Sequence, residues 1–252
     1  RTLAPGGGGD PLAAGSDVDP ALREIFGFGE PIEPPPAEED GAHLRRRGVT
    51  LVQRTITDAE RGRLRRWVPG PADLDAYLPL VQAVLEEAGA RALAKTPIDP
   101  RFELVYGWLV PAAAWKESCW RQFVSRGGRP VVLRSSAGAL GILQINARVW
   151  RGFYDVGALE KDLIYNARAG AEILLHYLAD FVIPADEHGV GGSLDAAARA
   201  TYSAYNGGPR ALRRWRKADA PAALRRIDEA FWRDYQAVKR DGMPERGTCW
   251  GG

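Results

Sequence analysis

The chain has 252 residues, of which 45% are hydrophobic, so it is long enough for one substantial folded domain with accessory segments. Lys and Arg number 34 against 32 Asp and Glu, and this near balance argues against a protein built to neutralise nucleic-acid phosphates. No stretch approaches the roughly 20 apolar residues that a membrane span requires, so the sequence predicts no transmembrane span in this chain.

The N-terminal part divides into two predicted segments. Residues 1–47 are rich in Gly, Pro and acidic residues, with a glycine run at 6–9. They offer too little apolar surface to offset their ordering entropy, so we expect an irregular extension or tether. Residues 48–75 are predicted to form a helical accessory segment, because Thr57 followed by Glu60 fits a capping box.

Two helical patterns then open the predicted main domain, which spans residues 76–218. Apolar residues recur at helical spacing from Leu74 to Leu85, and Gly89 is predicted to close that helix. A second pattern runs as far as Glu117. Pro111 interrupts it and either kinks one long helix or begins a new one.

The remaining elements are a hairpin and further helices. The two glycines and the proline within residues 126–134 favour a turn or hairpin. Asp162 is predicted to cap a strongly periodic helix that runs through Phe181, and an Ala-rich helix follows before the turn at 206–209. Residues 219–252 are predicted to form a C-terminal helix and tail that pack on the domain.

One acidic residue stands out because of its apolar neighbours. On a helix, Glu117 shares a face with Leu109, Ala113 and Trp120. Partial desolvation would raise the pKa of its carboxyl group, as a general acid near neutral pH requires. A helical Glu is usually solvated or salt-bridged, however, so the assignment depends on segments further along the chain.

Three segments in a fixed order supply that support. They are Glu117-Ser118, the stretch 136–144 with the sequence SAGALGILQ, and the stretch 204–209 with the sequence AYNGGP. Together they resemble the soluble lytic transglycosylase family, which has an SLT domain of the lysozyme-like superfamily. Asn166 and Gly170 also match the family's N-x-x-x-G pattern, and the resemblance covers roughly residues 77–215. It implies a mainly helical (α+β lysozyme-like) catalytic domain with a small hairpin insertion.

The resemblance implies a role for each matched residue. Glu117 would be the sole catalytic acid and base, and Ser118 would stabilise the helix end or the carboxylate. Ser136 and Gln144 would contact the N-acetyl groups or the peptide-bearing sugar. Leu143 stands where the family usually has Met and should preserve a wall under the sugar.

Two further matched residues have structural alternatives. Tyr205 is expected near the catalytic carboxylate, where it would help to position the acetamido group. A core ring with a hydrogen-bonded hydroxyl group is the alternative. Asn206 would bond the loop or the substrate, and its alternative is a turn or cap residue.

The implied reaction is cleavage of the β-1,4 bond between N-acetylmuramic acid and N-acetylglucosamine, with formation of 1,6-anhydromuramic acid. The expected partner is the peptidoglycan glycan strand, and no cofactor is implied. No metal is implied either, because His43, His176 and His188 lack ligand spacing.

Two alternatives to this reaction stay open. The first is a goose-type lysozyme-like hydrolase, in which Asp155, Glu160 or Asp162 would hold water. The second is a catalytically weak peptidoglycan-binding scaffold.

The implied substrate lies outside the cytoplasmic membrane, so we expect a periplasmic or otherwise exported protein of the cell envelope. The chain begins at Arg1 without a signal pattern, so any export signal is expected to have been removed, and lipid anchoring stays open. The N-terminal extension is a candidate contact for cell-wall protein partners. Cys119 and Cys249 suit either one disulfide or two unrelated thiols.

Overall fold

The structure, a computed structural model, describes residues 56–250. The predicted extension at 1–47 and the first part of the accessory segment, at 48–55, lie outside the described residues, as do the last two residues of the tail. The described part is mainly helical, as the sequence predicts. Its α-helices are α1 (Asp58–Leu64), α2 (Leu74–Lys95), α3 (Glu103–Ser118), α4 (Ala147–Trp150), α5 (Val156–Lys161), α6 (Leu163–His176), α7 (Glu187–Val190), α8 (Asp195–Gly207), α9 (Ala222–Asp241) and α10 (Gly247–Trp250).

Short 3₁₀ and π segments connect several of these helices. The 3₁₀ turns are Pro71–Asp73, Pro100–Phe102, Pro209–Ala211 and Arg214–Arg216, and a π-helical segment, Tyr177–Val182, extends α6. The described strands are β1 (Phe123–Arg126), β2 (Arg129–Val132), β3 (Ala139–Leu140) and β4 (Ile145–Asn146).

Both predicted helix caps are confirmed. The Thr57 side chain accepts from the Glu60 backbone N–H while the Glu60 carboxylate accepts from the Thr57 N–H, so both halves of the capping box form at the start of α1. At the start of α6, Asp162 accepts from the backbone N–H groups of Ile164 and Tyr165. These bonds satisfy donors that the first turn of a helix leaves without partners.

The predicted end of α2 at Gly89 is wrong, because the helix continues to Lys95. Gly89 lies inside it, where a Cβ atom would meet the Tyr106 ring at 3.6 Å and Val110 at 3.7 Å. The glycine therefore marks the close packing of α2 against α3. Pro111 likewise lies within α3, which continues as one helix.

Helix α3 lies at the centre of the packing. It packs against α2, α8 and α9, while α2 also packs against α6. Its middle is formed by fully covered small and apolar residues, namely Leu109, Val110, Pro111, Ala112, Ala113 and Ala114. Burial on several sides explains why the helix is apolar around most of its circumference.

The hairpin predicted within residues 126–134 is confirmed. Strands β1 and β2 pair antiparallel, with Arg126 opposite Arg129. Gly127 and Gly128 form the turn with φ values of 57° and 74°. Turns of two left-handed residues match the twist of paired strands, and glycine adopts this conformation without steric cost.

The C-terminal helix α9 packs against α3 and contributes Phe231, Tyr235 and Val238 to the same core as the rest of the described chain. The predicted boundaries at 75/76 and 218/219 stay predictions. Among the helices within residues 56–250, none combines the length and apolar character that crossing a membrane requires.

A disulfide bond joins Cys119 to Cys249, which decides between the two alternatives for these cysteines. It links the residue that follows α3 to α10, across a sequence separation of 130 residues. Two further contacts hold the same segment: Trp115 Nε1 donates to Thr248 Oγ1 at 3.1 Å, and the Arg121 guanidinium lies 4.7 Å from the centre of the Trp250 ring. The C-terminal tail is thus fastened to the end of α3.

Replacement of Cys249 by Ser should lower the free energy of unfolding by about 2 to 5 kcal/mol, because a long loop in the unfolded chain is no longer closed. Urea denaturation of the variant and of the oxidised wild type measures this difference. Reductant should weaken the wild type to a similar extent and leave the variant unchanged. Equal midpoints for all samples would contradict the prediction.

Candidate active site

Glu117 lies in the last turn of α3, where Leu109 and Ala113 on its face are buried as predicted. The placement of Trp120 on that helix face is wrong, because α3 ends at Ser118. Cys119 and Trp120 both have left-handed backbones, with φ values of 54° and 60°. The chain therefore turns back sharply just beyond Glu117.

Trp120 is nevertheless buried, and two hydrogen bonds fix its position. Its indole Nε1 donates to the Pro111 carbonyl at 2.9 Å, and its own carbonyl accepts from the Tyr77 hydroxyl group at 2.7 Å. Left-handed conformations cost energy in residues other than glycine and persist where their surroundings hold them. These bonds, with the disulfide at Cys119, provide that hold.

The carboxylate of Glu117 accepts a hydrogen bond from the Tyr202 hydroxyl group, with 2.7 Å between the phenol oxygen and Oε1. Burial raises the pKa of Glu117, and this influence outweighs the Tyr202 hydrogen bond and the positive charge of Lys116, which both lower it. The expected rise in pKa is therefore confirmed. A general acid must still carry its proton near neutral pH, and a raised pKa keeps the carboxyl group protonated to higher pH.

Tyr202 is the site residue that the motif comparison missed. It lies three residues before Tyr205 on α8, so that both side chains occupy neighbouring positions on one helix face. A helical projection of 195–207 would have grouped the two tyrosines. Only the fold, however, brings Tyr202 to Glu117, which is 85 residues away in sequence.

The segment 140–144, which carries the predicted sugar contacts, is held by two buried amide side chains. Gln122 accepts from the Ile142 N–H at 2.9 Å and donates to the Leu159 carbonyl at 2.9 Å. Asn166 accepts from the Leu143 N–H at 3.1 Å, and its amide donates to the carbonyls of residues 140 and 159. Both side chains are completely covered, so their hydrogen bonds determine where this segment lies.

Two glycines allow the close approach of this segment. A Cβ atom on Gly141 would lie 2.3 Å from Gln122 Oε1 and 2.5 Å from Asn166 Nδ2, and its φ is 71°. A Cβ atom on Gly170 would lie 2.3 Å from the Leu143 side chain. The Asn166 and Gly170 pair thus serves packing: the amide holds the segment and the glycine admits Leu143.

Leu143 is completely covered by protein. Its side chain packs on Gly170 of α6. The predicted wall under a sugar stays a prediction, and in the described structure this side chain fills the core.

The Tyr205 hydroxyl group donates a hydrogen bond to the Leu143 carbonyl, with 2.5 Å between the two oxygens. Its ring is partly buried and makes an edge contact with Tyr177. Burial and then the negative charge of Glu117 raise the pKa of Tyr205, so the two groups lie close enough to interact. The hydroxyl group thus joins α8 to the segment 140–144, which resembles the structural alternative considered for this residue.

Ser118 also joins two elements and does not bond the carboxylate. Its hydroxyl group lies 2.6 Å from the Ile142 carbonyl and 3.0 Å from the Ala114 carbonyl, and it accepts from the Arg121 N–H at 3.1 Å. It therefore stabilises the end of α3, as one of its two expected roles required, and ties that end to the segment 140–144.

Ser136 and Gln144 differ in how firmly they are placed. Ser136 is exposed in the turn between β2 and β3. Gln144 is partly buried with a φ of 47°, and its Nε2 donates to the Gly141 carbonyl at 2.8 Å. The rare left-handed backbone and this hydrogen bond fix the direction of the Gln144 side chain.

Asn206 lies at the end of α8, where its Oδ1 accepts from Arg214 at 3.1 Å. Arg214 in turn forms a buried, two-pronged ion pair with Asp228 of α9. Asn206 is therefore tied to the turn that follows α8. This contact is with the loop, one of the two partners expected for it.

The carboxylates considered as a second acid have structural partners. Asp155 caps α5 by accepting from the Ala158 N–H, and Asp162 caps α6. Glu160 forms an ion pair with Arg134. Within residues 56–250, no group of three or more His, Cys, Asp or Glu residues could hold a metal ion.

Replacement of Gly141 by Ala should reduce both stability and glycan cleavage, because the new methyl group would collide with Gln122 and Asn166. Gly138 offers a matched control: its φ is 85°, but a Cβ atom there meets nothing within 4 Å. The control should lose only about 1 to 2 kcal/mol from its left-handed backbone. Thermal unfolding and cleavage assays compare the two, and equal losses would contradict the role assigned to Gly141.

Residues 108–226 match a family model described as Transglycosylase SLT domain. No curated protein and no solved structure was found to match the chain. The matched segment contains Glu117, the segment 140–144 and Tyr202.

Proposed function

The chain carries a transglycosylase SLT domain, a lysozyme-like domain associated with peptidoglycan cleavage of the lytic transglycosylase type, and on this premise we propose its specific reaction. The protein cleaves the β-1,4 bond between N-acetylmuramic acid and N-acetylglucosamine and leaves 1,6-anhydromuramic acid. The observation that carries this proposal is the position of Glu117: within the segment that matches the SLT family model, its partly buried carboxyl group lies at the end of α3 and accepts a hydrogen bond from the Tyr202 phenol.

In the first step, Glu117 acts as a general acid. It donates its proton to the glycosidic oxygen as the bond from that oxygen to the anomeric carbon breaks. The carbonyl oxygen of the substrate's own N-acetyl group attacks the anomeric carbon, so an oxazolinium ion forms without a protein nucleophile. Glu117 becomes a carboxylate.

In the second step, Glu117 acts as a general base. It takes the proton from the C6 hydroxyl group of the muramic acid, whose oxygen then attacks the anomeric carbon and opens the oxazolinium ring. Glu117 is protonated again, and no water is consumed. This route needs one carboxyl group, whereas most glycosidases use two. The cap and ion-pair roles of Asp155, Glu160 and Asp162 support it.

We assign the substrate contacts to two groups. Ser136 and Gln144 bind the N-acetyl groups or the peptide-bearing sugar, in line with their partial or full exposure. Tyr205 and Asn206 place the segment 140–144 and the end of α8, in line with their hydrogen bonds to Leu143 and Arg214.

The proposed location is the periplasm or another part of the cell envelope, because the substrate lies there. The disulfide between Cys119 and Cys249 supports an oxidising compartment. Contacts between the N-terminal extension and cell-wall proteins are part of the same proposal.

Digestion of purified sacculi should release muropeptides that end in 1,6-anhydromuramic acid, each lighter by one water molecule than its hydrolysed counterpart. Replacement of Glu117 by Gln should reduce release by about 100- to 10,000-fold, because the amide has no proton of suitable acidity. Mass spectrometry of the soluble products measures both results.

The products also separate the competing functions. Reducing-end muramic acid alone would identify a hydrolase and refute the transglycosylase proposal. Unchanged release by Glu117→Gln would refute the catalytic assignment. Binding to sacculi without release would leave a peptidoglycan-binding scaffold.

The pH dependence follows from the pKa of Glu117. The free enzyme must hold Glu117 protonated, so kcat/KM should decline as the pH rises through this pKa. Because burial raises it, the decline should begin above the ordinary glutamic acid value of about 4.3. Rates on a soluble glycan fragment across the pH range measure the profile, and a decline centred at or below the ordinary value would contradict the raised pKa.

A further inference from the structure

We propose that Tyr202 is a positioning residue that acts through Glu117, and that helix α9 holds it in place through Phe231. Its hydroxyl group would fix one carboxylate oxygen and stabilise the carboxylate that forms after proton transfer. This inference rests on the proposed acid and base role of Glu117.

The hydrogen bond leaves the two oxygens of Glu117 in different situations. Tyr202 donates to Oε1 at 2.7 Å. Within residues 56–250, this is the hydrogen bond that the carboxylate accepts. An oxygen that accepts from a phenol is a poor position for the acidic proton, so we assign the proton to Oε2, the oxygen that this hydrogen bond leaves available for the glycosidic oxygen.

Under working conditions, the Tyr202 hydroxyl group acts towards Glu117 as a hydrogen-bond donor and not as a charged phenolate. Burial and then the charge of Glu117 raise the pKa of Tyr202 well above its ordinary value, so it stays protonated. Hydrogen bonds to a charged acceptor are stronger than those to a neutral one. Tyr202 therefore favours the carboxylate over the neutral acid and stabilises Glu117 in the form that it adopts between the two proposed steps.

Other charged and titratable groups near the pair do not take over this role. Lys116 acts from α3 by its charge, and Tyr205 of α8 donates its hydroxyl group to the Leu143 carbonyl. Asp228 of α9 acts on Tyr202 by its charge, but its carboxylate is paired with Arg214.

The aromatic ring of Tyr202 is held from α9. It stacks on the ring of Phe231 with 4.1 Å between centroids and 7° between planes, and both residues are 1% exposed. The two helices are also joined where Ser203 donates to Asp228 at 3.1 Å. Phe231 follows the segment that matches the family model, which ends at residue 226. This part of the proposed site thus depends on chain beyond that match.

Tyr202→Phe removes the hydroxyl group and keeps the ring that stacks on Phe231. We expect kcat/KM to fall about 10- to 100-fold, as for loss of a hydrogen bond to a charged group. The alkaline decline should also move to higher pH, because the lost hydrogen bond lowered the pKa of Glu117. Cleavage rates of the soluble fragment at each pH measure both effects, and thermal unfolding checks the fold.

Tyr106→Phe is the matched control. Tyr106 is also completely buried, but its hydroxyl group donates to the Ala171 carbonyl at 2.7 Å. Its loss should lower stability without moving the alkaline decline. Phe231→Leu keeps the Tyr202 hydroxyl group but removes the stacked ring, and we expect a smaller change in the same direction.

Three results would overturn the inference: an unchanged rate in folded Tyr202→Phe, a lower rate with an unmoved alkaline decline, or an equal shift in Tyr106→Phe. If Tyr202→Phe does not fold, Phe231→Leu decides, and an unmoved decline there refutes the role. If Glu117→Gln is inactive but Tyr202→Phe keeps the pH profile of the wild type, this inference is refuted and the proposed function stands. Fully active Glu117→Gln would defeat the proposed function.

Discussion

The desolvation of one carboxyl group is the constraint on which the proposed chemistry depends. Glu117 lies near the end of α3, a helix that packs against α2, α6, α8 and α9, and burial is the largest influence on its pKa. An unpaired buried carboxylate is costly, so the surroundings must either neutralise it or hold its charge. The phenol of Tyr202 stabilises the Glu117 carboxylate by one hydrogen bond, which does not outweigh the effect of burial. Glu117 can therefore exist in both protonation states.

The end of α3 must also be held at a fixed distance from the segment 140–144. Ser118 joins the two directly, whereas Gln122 and Asn166 supply the buried donors and acceptors that the segment's backbone requires. Tyr205 adds a bond from α8. Such a network has few alternative arrangements, because each broken bond would leave a buried polar group without a partner.

The sequence predicted several local features correctly because their causes are local. A capping box needs only Thr57 and Glu60, and a hairpin turn needs residues that accept left-handed backbones. The predicted helix end at Gly89 is wrong, because this position is a glycine to make room for the ring of Tyr106 on a neighbouring helix. Trp120 was placed on the α3 face, since helical periodicity could not show that the chain turns back after Ser118.

The sequence by itself determined the mainly helical class and the ordered motifs that resemble the SLT family, and from them it predicted Glu117 as the catalytic carboxyl group. It left the pairing of Cys119 with Cys249 open and did not indicate Tyr202. Only the tertiary structure decided these points, because they join residues 130 and 85 positions apart. Periodicity reports which face of a helix is covered, but the partner that covers it is set by how the helices pack.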